Sequence, residues 1–339
     1  MADGRWALGL DGGNTKTLAV VGVAGADGRA EVRGVGRAGC ADIYGAASPG
    51  AALEQMESAV GKALHEAGIG AHDLDAAAFS LAGADWPEDF VLLERELLAR
   101  LSLRDTPIVV NDSLGALRSG SPDWSGVSVV AGTYNAIGAR RADGHLFHIG
   151  FWPDGAGGRD LARDGLKAVY RAELDLGPET ALVGRALARY GVDDGIALLH
   201  EFTRRGGLQI VDQDAFAPDV LDAADAGDPV AYELVTGKGR MLGAQARVCA
   251  ERADLPLDGA RVVLTGRVME HPSPLLARCV MVELPGAVEV RHGAPPVLGA
   301  LLLAFDRLGV AADADAAALA AALDPERRSP RWVGSPSKA

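Results

Sequence analysis

An α/β protein built from two repeated halves is the fold class this 339-residue sequence predicts, and three observations carry it. Short apolar runs separated by Gly-rich turns open the chain. Apolar runs then alternate with stretches of helical periodicity. After residue 125 the same succession of strand, turn, strand, strand and helices begins again.

Residues 6–10, 18–23 and 31–35 predict a meander of three strands. In 49–67, Leu53, Met56, Val60, Leu64 and Ala67 recur at steps of three and four, which predicts a helix with one buried face that Gly68 ends. Strands at 76–81 and 107–110 alternate with helices at 88–101 and from 112 onward, so parallel pairing is expected. Strands are then expected at 127–131 and 136–140, with a hairpin turn at Ala142-Asp143-Gly144 leading into 145–149. Beyond 157 helices are predicted over 160–174, 180–190, 193–204, 214–226 and 229–253. Strands return at 261–265 and 288–290, followed by a helix at 296–308 and an Ala-rich helix at 314–323. The boundary between halves is expected near 115–122. This divides the chain into 1–117, 118–324 with helical insertions and a last helix packing back on the first unit, and a disordered tail at 325–339.

Lys and Arg number 33 against 46 Asp and Glu, a net charge of −13 that repels phosphate backbones and anionic lipid. Nucleic acid and membrane are therefore excluded as expected partners. The longest apolar stretch, 295–305, is about half of what a membrane span needs, and the N-terminus has no basic region or long apolar core. A cytoplasmic location is the expectation. Cys40, Cys249 and Cys279 are far apart, so neither a disulfide framework nor a CxxC metal site is indicated.

The first chemical candidate is Asp11-Gly12-Gly13-Asn14-Thr15-Lys16-Thr17, between two expected strands. Glycines allow close backbone approach, amides and hydroxyls can cradle phosphate oxygens, and Lys16 offsets charge. Asp11 is suited to a hydrated Mg²⁺ held through water. The segment lacks the GxxxxGK[ST] pattern of a Walker loop. The competing reading is a plain hairpin turn in which the glycines supply positive φ. Asp112 falls at a strand end and a helix start, which reads either as an N-cap or as a carboxylate held at the positive end of a helix. Asp85 reads equally as a helix start in Asp85-Trp86-Pro87-Glu88, and Asp154 as a turn residue before glycines.

Several of these segments together resemble the N-acetylglucosamine kinase and BadF/BadG/BcrA/BcrD-type ATPase family of actin-like sugar kinases. Asp11 to Thr17 resembles its first phosphate motif, Ser80-Leu81-Ala82-Gly83-Ala84-Asp85 its sugar-site turn, and Val109 to Leu117 the segment carrying its catalytic aspartate. Val130 to Asn135 resembles the second phosphate motif, Leu264 to Val268 the adenosine motif, and Pro295 to Ala300 the helix after it. The resemblance runs in order from Leu10 to about Leu308. It implies two ribonuclease-H-like (actin-like ATPase) units with a cleft between them, ATP and Mg²⁺ as cofactors, a small-molecule sugar as substrate, and a homodimer as a common assembly.

Carried over residue by residue, the resemblance makes Asp112 the general base. It assigns Asp11, Gly12, Gly13, Asn14, Thr15, Lys16, Gly132, Thr133 and Gly266 to ATP. Gly83, Asp85, Asn111, Asp112 and Asn135 go to the sugar, with Cys40 and Asp154 at ungapped counterpart positions, Asp42 close behind Cys40, and His148 as a further candidate. Departures stand at Tyr134, where the family pattern has Gly, at Cys40, where it has Asn, and after Asp154, where its Glu is missing. His148 stands near the family's sugar-site Trp, and a structural role for this histidine competes. Four carboxylates near one cavity suit a cationic or hydroxyl-rich ligand better than an acetamide. The expected function is an ATP-dependent kinase acting on a primary hydroxyl of a hexose, amino sugar or related polyol. An ATP-driven dehydratase activator and a non-catalytic sugar sensor are the alternatives.

Overall fold

The computed structural model describes residues 4–150, 155–291 and 294–323. The first half comprises β1 (Arg5–Gly12), β2 (Thr17–Ala24), β3 (Ala30–Ala38), α1 (Pro49–Ala67), β4 (Ala76–Leu81), α2 (Pro87–Arg100), β5 (Ile108–Asn111) and α3 (Asp112–Gly120). The second begins with β6 (Gly126–Ala131), β7 (Asn135–Arg140) and β8 (Leu146–Ile149). Helices α4 (Gly158–Glu173), α5 (Leu182–Tyr190), α6 (Gly195–Thr203), α7 (Ile210–Asp214), α8 (Ala217–Asp225) and α9 (Pro229–Arg252) follow. The chain then forms β9 (Arg261–Thr265), α10 (Leu275–Val282), β10 (Val288–Val290), α11 (Val297–Arg307) and α12 (Ala316–Leu323).

The two sheets have strand orders β3-β2-β1-β4-β5 and β10-β9-β6-β7-β8. Read from its other end, the second repeats the topology of the first, with an antiparallel meander and two parallel strands added beside its first member. The repeat expected from the strand succession is thus present in the sheets although the halves share no countable sequence period. Each meander is set by turns, and each parallel pair needs an intervening helix to return the chain.

Local signals account for most elements. Ser48 caps α1 by accepting from the Ala51 amide, Pro49 begins it, and Gly68 ends it at φ 71°. The expected helix at 214–226 is α8, and the short α7 before it was not expected. Helix α10 was not expected: its sequence LLARCVMV is an apolar run without polar spacing, and two prolines, Pro272 and Pro274, precede it. The residues expected as a disordered tail, 325–339, lie outside the described residues.

The first sheet is covered on one face by α1 and α2, with Leu8, Leu10, Met56, Val60, Phe79 and Leu93 buried together. Its other face is covered by α11 and α12, which come from the end of the chain: Leu298, Leu301, Leu302 and Phe305 pack on Ala7, Val20 and Ala78. The second sheet is covered on one face by α9, on which α4, α8 and α10 pack in turn. Helix α3 lies between the sheets, where the Ser128 hydroxyl of β6 donates to the Ser113 carbonyl and Trp124 Nε1 donates to the Leu114 carbonyl at 2.9 Å.

Helix α11 crosses α3 closely at Gly299, and α3 lies against β4 at Gly115. A Cβ at Gly299 would stand 1.8 Å from the Gly115 carbonyl oxygen, and one at Gly115 would stand 2.1 Å from Ser80 Oγ. Arg118 of α3 is buried and fastens the crossing: it pairs with Asp306 of α11 at 2.7 and 2.9 Å and with Asp313 at 2.7 and 2.9 Å. Gly299→Ala is therefore expected to destabilise by about 1–3 kcal/mol, because backbone must move to admit the methyl group. Gly61→Ala, at an open position of α1 with nothing within 4 Å of the added carbon, is expected to gain about 0.5–1 kcal/mol. Urea midpoints of the two variants check this, and a Gly299→Ala midpoint equal to wild type would reject the close-crossing argument.

Candidate active site

In the first sheet β1, β4 and β5 run parallel, with Gly12 opposite Leu81 and Leu81 opposite Asn111. The segments that leave their carboxyl ends therefore emerge side by side, about 5 Å apart per strand. Those segments are the Gly13–Lys16 turn, the turn at 82–86, and the start of α3. Open α/β sheets bind ligands at this edge, where loops diverge and helix N-termini face outward.

Asp11 is the penultimate residue of β1. Burial pushes its carboxyl up to about 6, with the nearby Lys16 ammonium acting the other way. The turn that follows is closed by the Gly13 amide donating to the Lys16 carbonyl at 3.0 Å. Neither Gly12 nor Gly13 has positive φ, so the reading in which these glycines serve the turn conformation fails. Gly12 is required by packing, since a Cβ there would stand 2.7 Å from Leu81 Cδ2. Gly13 is not required: an added carbon would meet only the Lys16 carbonyl, at 3.6 Å. Thr15 and Lys16 are exposed at the tip, and Asn14 donates its amide to Asp42.

Asp112 is the first residue of α3 and not its cap, as a strand-end Asp had suggested. Asn111 is the cap, accepting from the Ser113 amide at 3.1 Å and from the Ser113 hydroxyl. The cap role is filled by the neighbour, and the Asp112 carboxylate is left for something else. Its Oδ1 is enclosed and has no hydrogen-bond partner. Burial pushes this carboxyl up to about 8; the negative charges of Asp11, Asp85 and Asp42 add to the rise and the Ser113 amide opposes it. A buried orphan oxygen costs free energy in the free protein, and a ligand hydroxyl or cation recovers it.

Asp85 accepts from Asn111 Nδ2 at 3.0 Å, and burial, with Asp42 and Asp89 nearby, pushes its carboxyl up to about 7. Gly83 lets this turn sit against Asp42, since a Cβ there would meet Asp42 Oδ1 at 2.8 Å. Asp42 is buried and does not face solvent: it accepts from the Tyr44 amide at 2.9 Å and from Asn14. Cys40 is half-buried beside the Asp42 carbonyl, and burial raises its thiol. Asn111 is fully buried, with its oxygen on Ser113 and its amide on Ala84 and Asp85, so it holds the site in position.

On the second sheet, Gly132 and Gly266 leave the adjacent ends of β6 and β9, with Val130 opposite Thr265. Gly266 has φ 97°, and a Cβ on it would stand 2.5 Å from the Ala131 carbonyl oxygen. Thr133 is half-buried; its carbonyl and that of Gly132 accept from the Arg159 and Gly158 amides at 3.1 and 2.8 Å. The Tyr134 ring, expected to obstruct this loop, is 44 % exposed and bound sideways to Arg159, whose guanidinium stacks on it at 4.8 Å. Asn135 is buried, accepting from the Ala156 amide at 2.8 Å and donating to Gln245 at 3.4 Å. His148 lies edge-on to Phe90 of α2, its Nδ1 is enclosed without a partner, and burial lowers its pKa. Next to it, Gly150 abuts Asp85: a Cβ there would stand 2.6 Å from Oδ1. Asp154 lies outside the described residues.

Sequence reasoning missed the residues that hold these parts. Asp89 accepts from the Tyr44 hydroxyl at 2.8 Å and from the Trp86 amide at 2.8 Å, fixing the Asp85 turn to the Asp42 turn. Its position three residues after Trp86, in a helix begun by Pro87, was the available signal. Arg159, Asp214 and Gln245 carry no local signal, because their partners come from other elements.

Among the described residues no group of three His, Cys, Asp or Glu side chains is placed to enclose a metal. A cation at Asp11 or Asp112 would thus keep most of its waters, which fits Mg²⁺. Cys249 is buried, and the three free cysteines form no cluster with one another.

The sequence model of the BadF/BadG/BcrA/BcrD ATPase family matches residues 8–304. The chain belongs to this family. Its members are sugar-kinase-like ATPases with the actin-like fold of paired α/β sheets, which accounts for the repeated topology above. No curated protein matches the sequence. Two solved structures provisionally named N-acetylglucosamine kinases share the fold. The one from Chromobacterium violaceum has TM-score 0.62 and 22% identity, with 88% of this chain and 98% of that one covered. The one from Porphyromonas gingivalis has TM-score 0.65 and 20% identity, with 90% and 100% covered. A ROK family transcriptional regulator, a homologue of E. coli MLC protein, also matches, with TM-score 0.55, 15% identity and coverage of 92% and 80%. These likenesses show the fold. No described helix of this family member is long and apolar enough to cross a membrane.

The carboxyls of Asp11, Asp85 and Asp112 keep protons up to about 6, 7 and 8 in the folded protein. In the unfolded chain they release them near pH 4. The folded state thus binds more protons between these limits, and stability falls as pH rises from about 4 to about 8. Asp112→Asn removes one such group, so its melting temperature relative to wild type is expected to rise steadily across that window. Thermal melts of both proteins without ligand check this; a pH-independent difference would show that Asp112 ionises normally.

Proposed function

We propose that this chain is an ATP-dependent kinase that phosphorylates a primary hydroxyl of a hexose, amino sugar or related polyol. The observation that supports it most directly is the orphan Oδ1 of Asp112, enclosed at the start of α3 and set among Asp11, Asp85 and Asp42. A carboxylate so placed is suited to accept the proton of an attacking hydroxyl. In this reading the two units, 1–117 and 118–324, hold the substrates between their sheet edges.

Gly12, Gly13, Asn14, Thr15 and Lys16 on one side, and Gly132, Thr133 and Gly266 on the other, receive the phosphates and adenosine of ATP. Asp11 would hold Mg²⁺ through water, and the bound ion would supply charge neutralisation to the transferring phosphoryl group. Asp112 takes the hydroxyl proton at Oδ1 as the sugar oxygen attacks. Asp85 orients neighbouring hydroxyls, with Gly83, Cys40, Asp42 and His148 lining the same pocket, and Asn111 and Asn135 hold its walls in place; the assignment of Asp154 to the sugar rests on the sequence resemblance alone. Closing the sheets over the sugar excludes water and slows hydrolysis of ATP.

Because the negative charges of Asp11, Asp42 and Asp85 raise the proton affinity of Asp112, and those of Asp42 and Asp89 raise that of Asp85, an ammonium in the pocket gains charge-assisted hydrogen bonds that an acetamide lacks. Turnover of ATP is therefore expected to favour glucosamine over N-acetylglucosamine in a panel of sugars, and Asp112→Asn should lower that turnover by roughly 10²- to 10⁴-fold with ATP affinity nearly unchanged. Sugar binding without turnover in wild type would instead favour a sensor, a role the fold can host. Full activity in the variant would remove Asp112 from the chemistry.

The Gly13 position gives a second test. A larger side chain there has room in the free protein, so Gly13→Val is expected to melt near wild type yet bind ATP at least tenfold more weakly, because the branch blocks backbone approach to phosphate. Unchanged ATP affinity would place the phosphates elsewhere.

A further inference from the structure

A cavity of about 590 Å³ opens at the amino-terminal edge of the parallel strands of the first sheet. This is the edge opposite the candidate active site, about 20 Å away along β1 at the usual rise per residue. Arg5 at the start of β1, Arg104 and Thr106 before β5, Asp75 before β4, and Arg307 at the end of α11 line it. Three guanidinium groups thus meet in one concavity of a chain whose net charge is −13.

What they are bound to separates this cluster from an ordinary surface. Asp75 is already committed: its Oδ2 accepts from the Trp6 amide at 2.8 Å, and its own amide donates to the Trp6 carbonyl at 2.8 Å. Arg307 donates to the Thr106 carbonyl, which fixes that side chain over the loop carrying Arg104. Arg5 and Arg104 have no hydrogen-bond or ion-pair partner among the described residues. Opposing an anion are Asp105, also in the lining, and the carbonyl end of α11. Two unpartnered guanidinium groups and a third held by a single carbonyl outweigh two carboxylates, one of them already hydrogen-bonded to the Trp6 amide, and a terminal dipole.

We propose that this cavity binds a dianionic phosphate group, free or esterified to a small molecule, at a site separate from the kinase cleft. The planar forks of arginine match phosphate oxygens two at a time, and the volume lies within the usual range for small-ligand pockets. The site carries residues from both ends of the chain, Arg5 and Arg307, so occupancy ties α11 to β1 and to the β5 loop. The assignment is independent of the kinase reading, since no residue of the proposed cleft takes part.

Isothermal titration calorimetry of the intact chain with inorganic phosphate and with glucose 6-phosphate, at ionic strength held constant with potassium chloride, tests it. Saturable binding is expected, weakened at least tenfold by Arg104→Ala, partly restored by Arg104→Lys, and lost in Arg5→Ala/Arg104→Ala. Tighter binding of the ester identifies a phosphorylated metabolite as the ligand, and equal binding identifies phosphate itself. Arg104 lies in an exposed loop, so its single variants decide the matter if Arg5→Ala impairs folding. Absence of binding up to about 10 mM of either anion, or affinity unchanged by Arg104→Ala, would overturn the proposal.

Discussion

The close crossing of α3 and α11 is the constraint on which the rest of the structure depends. Gly299 allows the α11 backbone to meet that of α3 at the Gly115 carbonyl, where a side chain would hold them apart, and Arg118 fastens the contact through Asp306 and Asp313. Each helix thereby serves the sheet of the other half: α11 covers the first sheet while α3, which also packs on the first, reaches Ser128 and Gly138 of the second. Asp112 begins α3 and so inherits its position from this crossing. A shift of the helices would carry the carboxylate away from the edge it shares with Asp11 and Asp85.

That edge is under electrostatic tension. Removal from water disfavours charge on Asp11, Asp85 and Asp112, repulsion from neighbouring carboxylates adds to this at Asp85 and Asp112, and Lys16 and the Ser113 amide act against it at Asp11 and Asp112. The arrangement is costly for an empty protein and useful for one that binds cations or hydroxyl groups, since the unmet hydrogen-bonding capacity is satisfied on binding. The second sheet contributes the opposite kind of surface, two glycine loops whose amides and close backbones suit a polyanion. Membership of the BadF/BadG/BcrA/BcrD ATPase family is consistent with such a division between a carboxylate-rich side and a glycine-rich side.

Much of this was legible in the sequence because it rests on local rules. The opening meander follows from alternating apolar runs and turn residues, α1 from its 3.6-residue stripe between Ser48 and Gly68, and the repeat from the order of elements. The strand-end positions of Asp11 and Asp112 were visible for the same reason. What was not legible depends on partners remote in sequence. Asn111 displaced Asp112 from the cap because its side chain also reaches Asp85, 26 residues away. Tyr134 is drawn aside by Arg159, which is itself held by Asp214. Asn135 turns inward to Ala156 and Gln245, and α10 hides in an apolar run that periodicity cannot separate from a strand.

The covering of the first sheet by the end of the chain bears on how the protein is made. One face of β1, β2 and β4 stays without its apolar cover until 297–323 have left the ribosome, some 180 residues after α3. At ordinary rates of synthesis this interval is on the order of ten seconds or longer. During it Ala7, Val20 and Ala78 face either water or a chaperone. The nascent chain therefore holds the candidate edge on an incompletely covered sheet until α11 and α12 are free to pack on it.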